Sequence, residues 1–285
     1  MNKKAAPLAI TAVIVLGLLY WVFGLPSVGN PQIPTDPEAI TRGAYVFNAG
    51  GCAACHQPDG TDAPIGGYEI ESPFGGTFHV PNITPDPETG VGGWTGRDFI
   101  LAVKHGRSPS GGFFWPAFPY RTYQGMTDED VLDMAAYIMS LPPVRHENIP
   151  HDLPAWQFRW MMAGWQIMAD LLEGTPPAVS DDPQEQRGAY LARAMGHCSE
   201  CHTPRNALGI LDMANEFKGS DIVSANISPE GLRAWAKEDF VYFLESGMTA
   251  SFDFVSGEMA DVIEHTKNLN QEDREAYAAF FKRAP

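Results

Sequence analysis

The pentapeptide Cys-x-x-Cys-His occurs twice, as Cys52-Ala53-Ala54-Cys55-His56 and Cys198-Ser199-Glu200-Cys201-His202, and the two copies account for every cysteine in the chain. This spacing is that of a c-type haem attachment site. Two thiols reach the two vinyl groups of one porphyrin as thioethers, and the adjacent histidine turns under the ring to bind iron. A structural zinc site would place its two knuckles about 15–20 residues apart, whereas Cys52 and Cys198 stand 146 positions apart. A thioredoxin-like motif needs a βαβ pattern around it, and none is visible. The motifs therefore predict two covalently bound haem c groups, with Cys52, Cys55, Cys198 and Cys201 as attachment points and His56 and His202 as iron ligands.

The compartment follows from the first residues. Lys3 and Lys4 precede Ala5 to Leu25, twenty-one residues without a charge, enough as a helix to cross roughly 30 Å of hydrocarbon. Tyr20 and Trp21 stand near the far end, where interfacial aromatics are expected, and the lysines favour an inside N-terminus. A cleaved signal peptide shares the basic start and apolar run, but this run exceeds a typical apolar core and no small-x-small site follows Leu25. Residues 1–26 are read as an uncleaved transmembrane anchor in the bacterial cytoplasmic membrane, with the haem-bearing part on the periplasmic side.

A repeat sets the organisation of the remainder. Arg42-Gly43-Ala44-Tyr45 stands ten residues before Cys52, and Arg187-Gly188-Ala189-Tyr190 stands eleven before Cys198. Downstream, Asn82-Ile83-Thr84-Pro85 matches Asn226-Ile227-Ser228-Pro229, Trp94 matches Trp235, and Gly106 matches Gly247. The expected fold is mainly α: two tandem haem domains, 36–144 and 182–285, joined by an aromatic and Met-rich linker, 145–181. Each copy opens on a capped helix, at Asp36-Pro37 and Asp182-Pro183, and closes on another, capped by Thr127 and Asn270. Long Gly- and Pro-rich loops lie between, where bound haem would supply core that a short chain lacks.

Trp94 and Trp235 read either as propionate donors or as core fillers, and Arg42 and Arg187 either as propionate partners or as helix caps. In the linker, Trp156, Phe158, Trp160 and the residues up to Leu171 are too few and too charged for a second span. They read as a helix packed across both domains, or as a docking surface for a membrane partner. The net charge of −16 disfavours nucleic acid and anionic lipid and favours a partner with a positive face.

Several segments together carry a resemblance: Pro81-Asn82-Ile83-Thr84-Pro85-Asp86, Gly92-Gly93-Trp94, Trp115 to Tyr120, Met126-Thr127-Asp128-Glu129-Asp130, Leu141-Pro142-Pro143-Val144 and Cys201-His202-Thr203-Pro204-Arg205-Asn206. From about residue 36 onward the chain resembles the multihaem cytochrome c subunits of bacterial membrane-bound alcohol, gluconate and related dehydrogenases. The resemblance implies class I-like cytochrome c domains and an electron-transfer protein without substrate chemistry of its own. It would pass electrons from a periplasmic dehydrogenase or respiratory donor to quinone, an oxidase or another cytochrome. Two modules stand here where the alcohol dehydrogenase subunits have three.

The resemblance also implies a methionine as sixth iron ligand. Met259 holds that position in the second copy, twelve residues after Gly247. Twelve after Gly106 comes Phe118, which cannot bind iron, and Met126, at the end of the same loop, is the expected replacement. Its plainer role is an apolar plug under the last helix, where leucine would serve as well. Met139 and His79 are weaker candidates. A first iron without a sixth ligand would instead suit a dihaem enzyme of the thiosulfate dehydrogenase or peroxidase kind.

Overall fold

The computed structural model describes residues 22–58, 60–220 and 224–283, together with Val13, Gly17 and Tyr20. The anchor expected over residues 1–26 lies largely outside these residues, and among the described ones no helix is long and apolar enough to cross a membrane.

Two similar sets of helices make up the chain. In the first, α1 (Pro37–Ala49) leads into the short α2 (Cys52–His56), and the set continues through α3 (Gly96–His105), α4 (Tyr120–Tyr123) and α5 (Asp128–Ser140). A two-stranded antiparallel sheet, β1 (Glu69–Glu71) with β2 (Thr77–His79), sits in the loop after α2. After α6 (Met161–Leu172) the pattern returns as α7 (Pro183–Tyr190), α8 (Ser199–His202), α9 (Lys237–Ser246), α10 (Glu258–Thr266) and α11 (Gln271–Phe281).

The expected caps are formed. Asp36 accepts from the Ala39 amide, Asp182 from those of Gln184 and Glu185, Thr127 from that of Asp130 and Asn270 from that of Asp273. Each satisfies an amide that the first helical turn leaves without a partner.

The packing of the first helix of each set on the last depends on a glycine. A methyl group at Gly43 would stand 1.8 Å from the Asp133 carbonyl, and one at Gly188 would stand 1.9 Å from that of Ala276. Only a residue without Cβ permits this approach, which buries Val46 and Phe47 against Val131, Met134, Ala135 and Ile138 in one half. In the other it buries Leu191 against Tyr277, Phe280 and Phe281.

The extra residue in the second copy is absorbed where α7 ends. Residues Leu191–Met195 form a single π-helical turn, with the Gly196 amide donating to the Leu191 carbonyl at 2.6 Å. A π-bulge adds one residue to a helix without breaking it. The Cys198 motif thus leaves its helix much as the Cys52 motif does.

Arg42 and Arg187 take a role other than those expected of them. Arg42 forks onto Asp133 at 2.6 and 3.1 Å and Arg187 onto Asp273 at 2.8 and 2.9 Å, each tying the opening helix to the closing one. The two tyrosines cross between the halves: Tyr45 donates to Asp273, and Tyr190 donates to Asp130 while accepting from the Thr127 amide.

The segment after the first half has two parts. Residues 144–152 return along the first half, with Val144 and Asn148 bonded to Asn82 and Asp152 paired to Thr77 beside the sheet. α6 does bridge the halves, through Gln166 to the Tyr120 hydroxyl and Trp165 to the Leu208 carbonyl. Its buried apolar residues are only Ala163 and Ala169, because small side chains allow the helix to lie close, while Trp156, Phe158 and Trp160 are exposed.

Gly188→Ala is expected to destabilise the protein by about 3 kcal/mol, the upper range for forced overpacking. Gly164→Ala, in the middle of α6 with nothing within reach of the added methyl, should instead stabilise by about 0.5–1 kcal/mol through lost unfolded-chain entropy. Denaturant unfolding of both variants checks the pair, and a neutral Gly188→Ala would refute the proposed crossing.

Candidate haem sites

Each motif histidine is aimed by a backbone carbonyl. His56 Nδ1–H donates to the Pro81 carbonyl at 2.9 Å, and His202 Nδ1–H donates to that of Ala225 at 2.8 Å. A carbonyl can only accept, so the proton sits on Nδ1 and the Nε2 lone pair is free for a metal. Burial pushes His56 down to about 4 and lowers His202 as well, which keeps both rings neutral, the form that ligates.

Pro81 and Ala225 are the residues just before the repeated Asn-Ile-Thr/Ser-Pro segments. Asn82 Oδ1 accepts from the Thr84 amide at 2.9 Å and Asn226 Oδ1 from the Ser228 amide at 3.0 Å, an Asx turn in each copy. The buried Asn82 also donates to Thr89 and to the Val144 carbonyl, fixing the first turn to the linker. The repeat thus presents a carbonyl to the histidine of each Cys-x-x-Cys-His motif. Its recurrence was visible in the sequence, but its purpose was not, because the acceptor is a main-chain atom of the preceding residue.

The thiols are as the attachment chemistry requires. All four cysteines are free, and burial pushes both Cys52 and Cys198 up to about 12, so they are held as thiols. Cys52 Sγ lies 3.8 Å from Met134 Sδ. Among the described residues no three His, Cys, Asp or Glu side chains converge as a metal cluster would require. These features fit haem c: paired thiols on one helical turn, a neutral imidazole with one free nitrogen, and loop-rich surroundings.

The two motifs meet. A methyl group at Gly51 would approach His197 Nε2 to 3.1 Å, and the Tyr123 ring stands edge-on to His197 at 5.5 Å. Tyr123 donates to the Gly50 carbonyl at 2.7 Å, and burial, then the neighbouring Cys52, raises its hydroxyl well above the ordinary range. Thr122 bonds Glu200, inside the second motif. The residues preceding each attachment helix therefore share one boundary, with His197 and Tyr123 in it.

The sixth-ligand candidates fall at informative places. The bridge Arg107 to Phe113 and the bond from the Phe114 amide to Gly106 recur as Met248 to Phe254 and Val255 to Gly247. In this register Phe118 corresponds to Met259, the first residue but one of α10, half-buried where Phe118 is also half-buried. Met126, 3% exposed, lies in the apolar core immediately before the Thr127 cap. Leu269, before the Asn270 cap, is buried in the same way. Met139 packs against the core, and His79 lies in β2 beside Glu69. Trp94 and Trp235 pack edge-on against Phe99 and Phe243.

The chain is similar to known proteins. Residues 40–142 match the cytochrome c family. A "Diheme cytochrome c-type" protein of Cereibacter sphaeroides is 41% identical over 274 residues, covering 89% of this chain and 90% of its own. The gluconate 2-dehydrogenase cytochrome c subunit of Pantoea cypripedii is 35% identical, covering 94% of this chain and 64% of that one. The cytochrome c subunit of the quinone alcohol dehydrogenase of Gluconobacter oxydans is also 35% identical, at 95% and 59%. The chain thus spans about three fifths of the length of these two dehydrogenase subunits.

Asn82→Ala is expected to loosen the Pro81 carbonyl and so weaken the bond that makes His56 a stronger donor. The midpoint potential assigned to the first site should rise while the second stays, and Asn226→Ala should do the reverse. Potentiometric titration of both variants checks the assignment, and an unshifted potential in each would separate the Asx turns from the histidines.

Proposed function

The chain belongs to the family of dihaem c-type cytochromes, and on that premise we propose that it relays electrons between a periplasmic dehydrogenase and a further acceptor such as quinone, an oxidase or another cytochrome. Bound haem c supplies a reversible one-electron couple at iron. The chain's own residues fix two such groups, through Cys52, Cys55 and His56 in the first half and Cys198, Cys201 and His202 in the second. The observation that carries the proposal is the shared boundary: Gly50 and Gly51 against His197, with Tyr123 across it, brings together the residues that lead into the two attachment helices. Such closeness serves transfer from one site to the other.

The dehydrogenase reading is supported by the relatives, whose names assign them to gluconate, alcohol and fructose dehydrogenases. The apolar run Ala5–Leu25 after Lys3 and Lys4 supports anchoring by residues 1–26 in the bacterial cytoplasmic membrane, with both sites on the periplasmic side. The net charge of −16 suits an encounter with a positively charged face. Reduction of the oxidised protein by its dehydrogenase should then be fast at low ionic strength and slow steeply as salt is added. Stopped-flow mixing measures this, and failure of any co-purifying or co-encoded dehydrogenase to reduce the protein would overturn the relay.

For the sixth positions we propose Met259 at the second iron and Met126 at the first. Met259→Ala should open the second site to water and lower its potential, since a thioether favours ferrous iron. One observation favours a second reading for the first site: Leu269 does the work of Met126 in the other half without a sulfur atom. If Met126 is likewise packing alone, the first iron is open at Phe118 and available to small ligands, as a dihaem enzyme would need. Optical and electron paramagnetic resonance spectra of Met126→Leu separate the two. A low-spin first haem that becomes high-spin in the variant supports the relay. A wild type already high-spin, binding cyanide or sulfide and unaltered by the substitution, supports the enzyme.

A further inference from the structure

α6 turns Gln166, Asp170 and Glu173, together with the small Ala163 and Ala169, toward the protein, and larger apolar side chains away from it. Gln166 bonds the Tyr120 hydroxyl and the His105 carbonyl, and Asp170 and Glu173 hold Arg121. On the outer side Met161, Met168 and Leu171, spaced seven and three apart, are 37%, 38% and 76% exposed. Just before the helix Trp156, Phe158 and Trp160 are each at least half exposed, the last two stacked with ring centres 6.1 Å apart. Over 156–172 the charged residues are Arg159 and Asp170 alone, and Asp170 is taken up by Arg121. Exposed apolar side chains clustered over so short a stretch mark a contact site.

What covers it is indicated by where the N-terminal apolar run arrives. The Phe23 carbonyl accepts from Arg107 Nη2 at 2.7 Å, and the Phe23 ring stands edge-on to Phe113 at 6.1 Å. Arg107 lies over the Phe113 ring at 3.8 Å, closing the loop 107–113. A methyl group at Gly112 in that loop would come within 3.9 Å of the Arg159 side chain. Phe158 and Trp160 flank Arg159. The end of the apolar run and the aromatic patch therefore meet the protein at one loop.

We propose that the face formed by Trp156, Phe158, Trp160, Met161, Met168 and Leu171 lies in the interfacial layer of a phospholipid membrane, beside the point where the N-terminal segment enters it. The inference rests on the anchor reading given above. Lipid is the occupant indicated because the face stands at the loop 107–113 where Phe23, at the end of the apolar run, also meets the protein. Tryptophan and phenylalanine beside flexible methionines match the boundary between headgroups and acyl chains. An interfacial helix ordinarily needs its own solvated polar face; here the protein body takes that place. The contact is apolar, so it is indifferent to salt, unlike the encounter with a dehydrogenase.

The test uses full-length protein carrying its haems, reconstituted in phosphatidylcholine vesicles doped with a phospholipid bearing a photoreactive diazirine in its acyl chain. Photolysis and peptide mass mapping should label both 5–25 and 156–172, at high salt as at low. The double variant Met168→Glu, Leu171→Glu should lose the label at 156–172 and keep that at 5–25, with unchanged haem spectra showing that it folds. Label at 5–25 with none at 156–172 would overturn the inference and leave the anchor standing. Label at neither would overturn both. A 156–172 segment that escapes lipid label but becomes protected from hydrogen exchange when the dehydrogenase is added would assign the face to a protein instead.

Discussion

Two close helix crossings hold this molecule in register. At Gly43 and again at Gly188 the opening helix of a half rests directly on a carbonyl of the closing helix, at a distance that no side chain permits. From Gly43 the chain runs nine positions to Cys52 and from Gly188 ten to Cys198, the extra residue taken up by the π-turn, so each crossing bears on where its thiols and histidine emerge. The forks from Arg42 and Arg187 onto buried aspartates lock the same helix pairs. A buried carboxylate that lost its arginine would be strongly destabilising, which binds ion pair and crossing into one unit.

Much of this was legible beforehand because it depends on local chemistry. The four helix caps at Asp36, Thr127, Asp182 and Asn270, the apolar face of Val131, Met134, Ala135 and Ile138, and the offset between the copies all appear in the structure where spacing and capping rules place them. What was not legible depends on main-chain atoms and on partners distant in sequence. The carbonyls of Pro81 and Ala225 have no side-chain signature. The partner of Arg187 is 86 positions away, and nothing in the periodicity of α6 tells which of its two faces is turned inward. Met126 illustrates the middle case: its burial is readable from the pattern, but its likeness to Leu269 emerges only when hydrogen bonds set the register.

The electrostatics of the two sites are uniform where the chemistry is common and differ where it is not. Both histidines are kept neutral by burial and oriented by a carbonyl, and both leading cysteines are held as thiols. The first half surrounds its loop with further anchors, from Asn82 to the linker and from Asn148 to Thr89, whereas Asn226 is exposed. The first histidine's support is therefore the more extensively hydrogen-bonded of the two.

The crossed tyrosines have a further consequence. Tyr45 reaches the third residue of the closing helix in the second half, and Tyr190 reaches the corresponding residue in the first. An exchange in which each side gives what it receives is how an isologous interface between two identical subunits is built. The same reciprocity is present here within one polypeptide. A true homodimer must change both copies at once. Within a single chain the two halves can differ, and here they do: Met259 stands in one half where Phe118 stands in the other, a difference that two identical subunits could not encode.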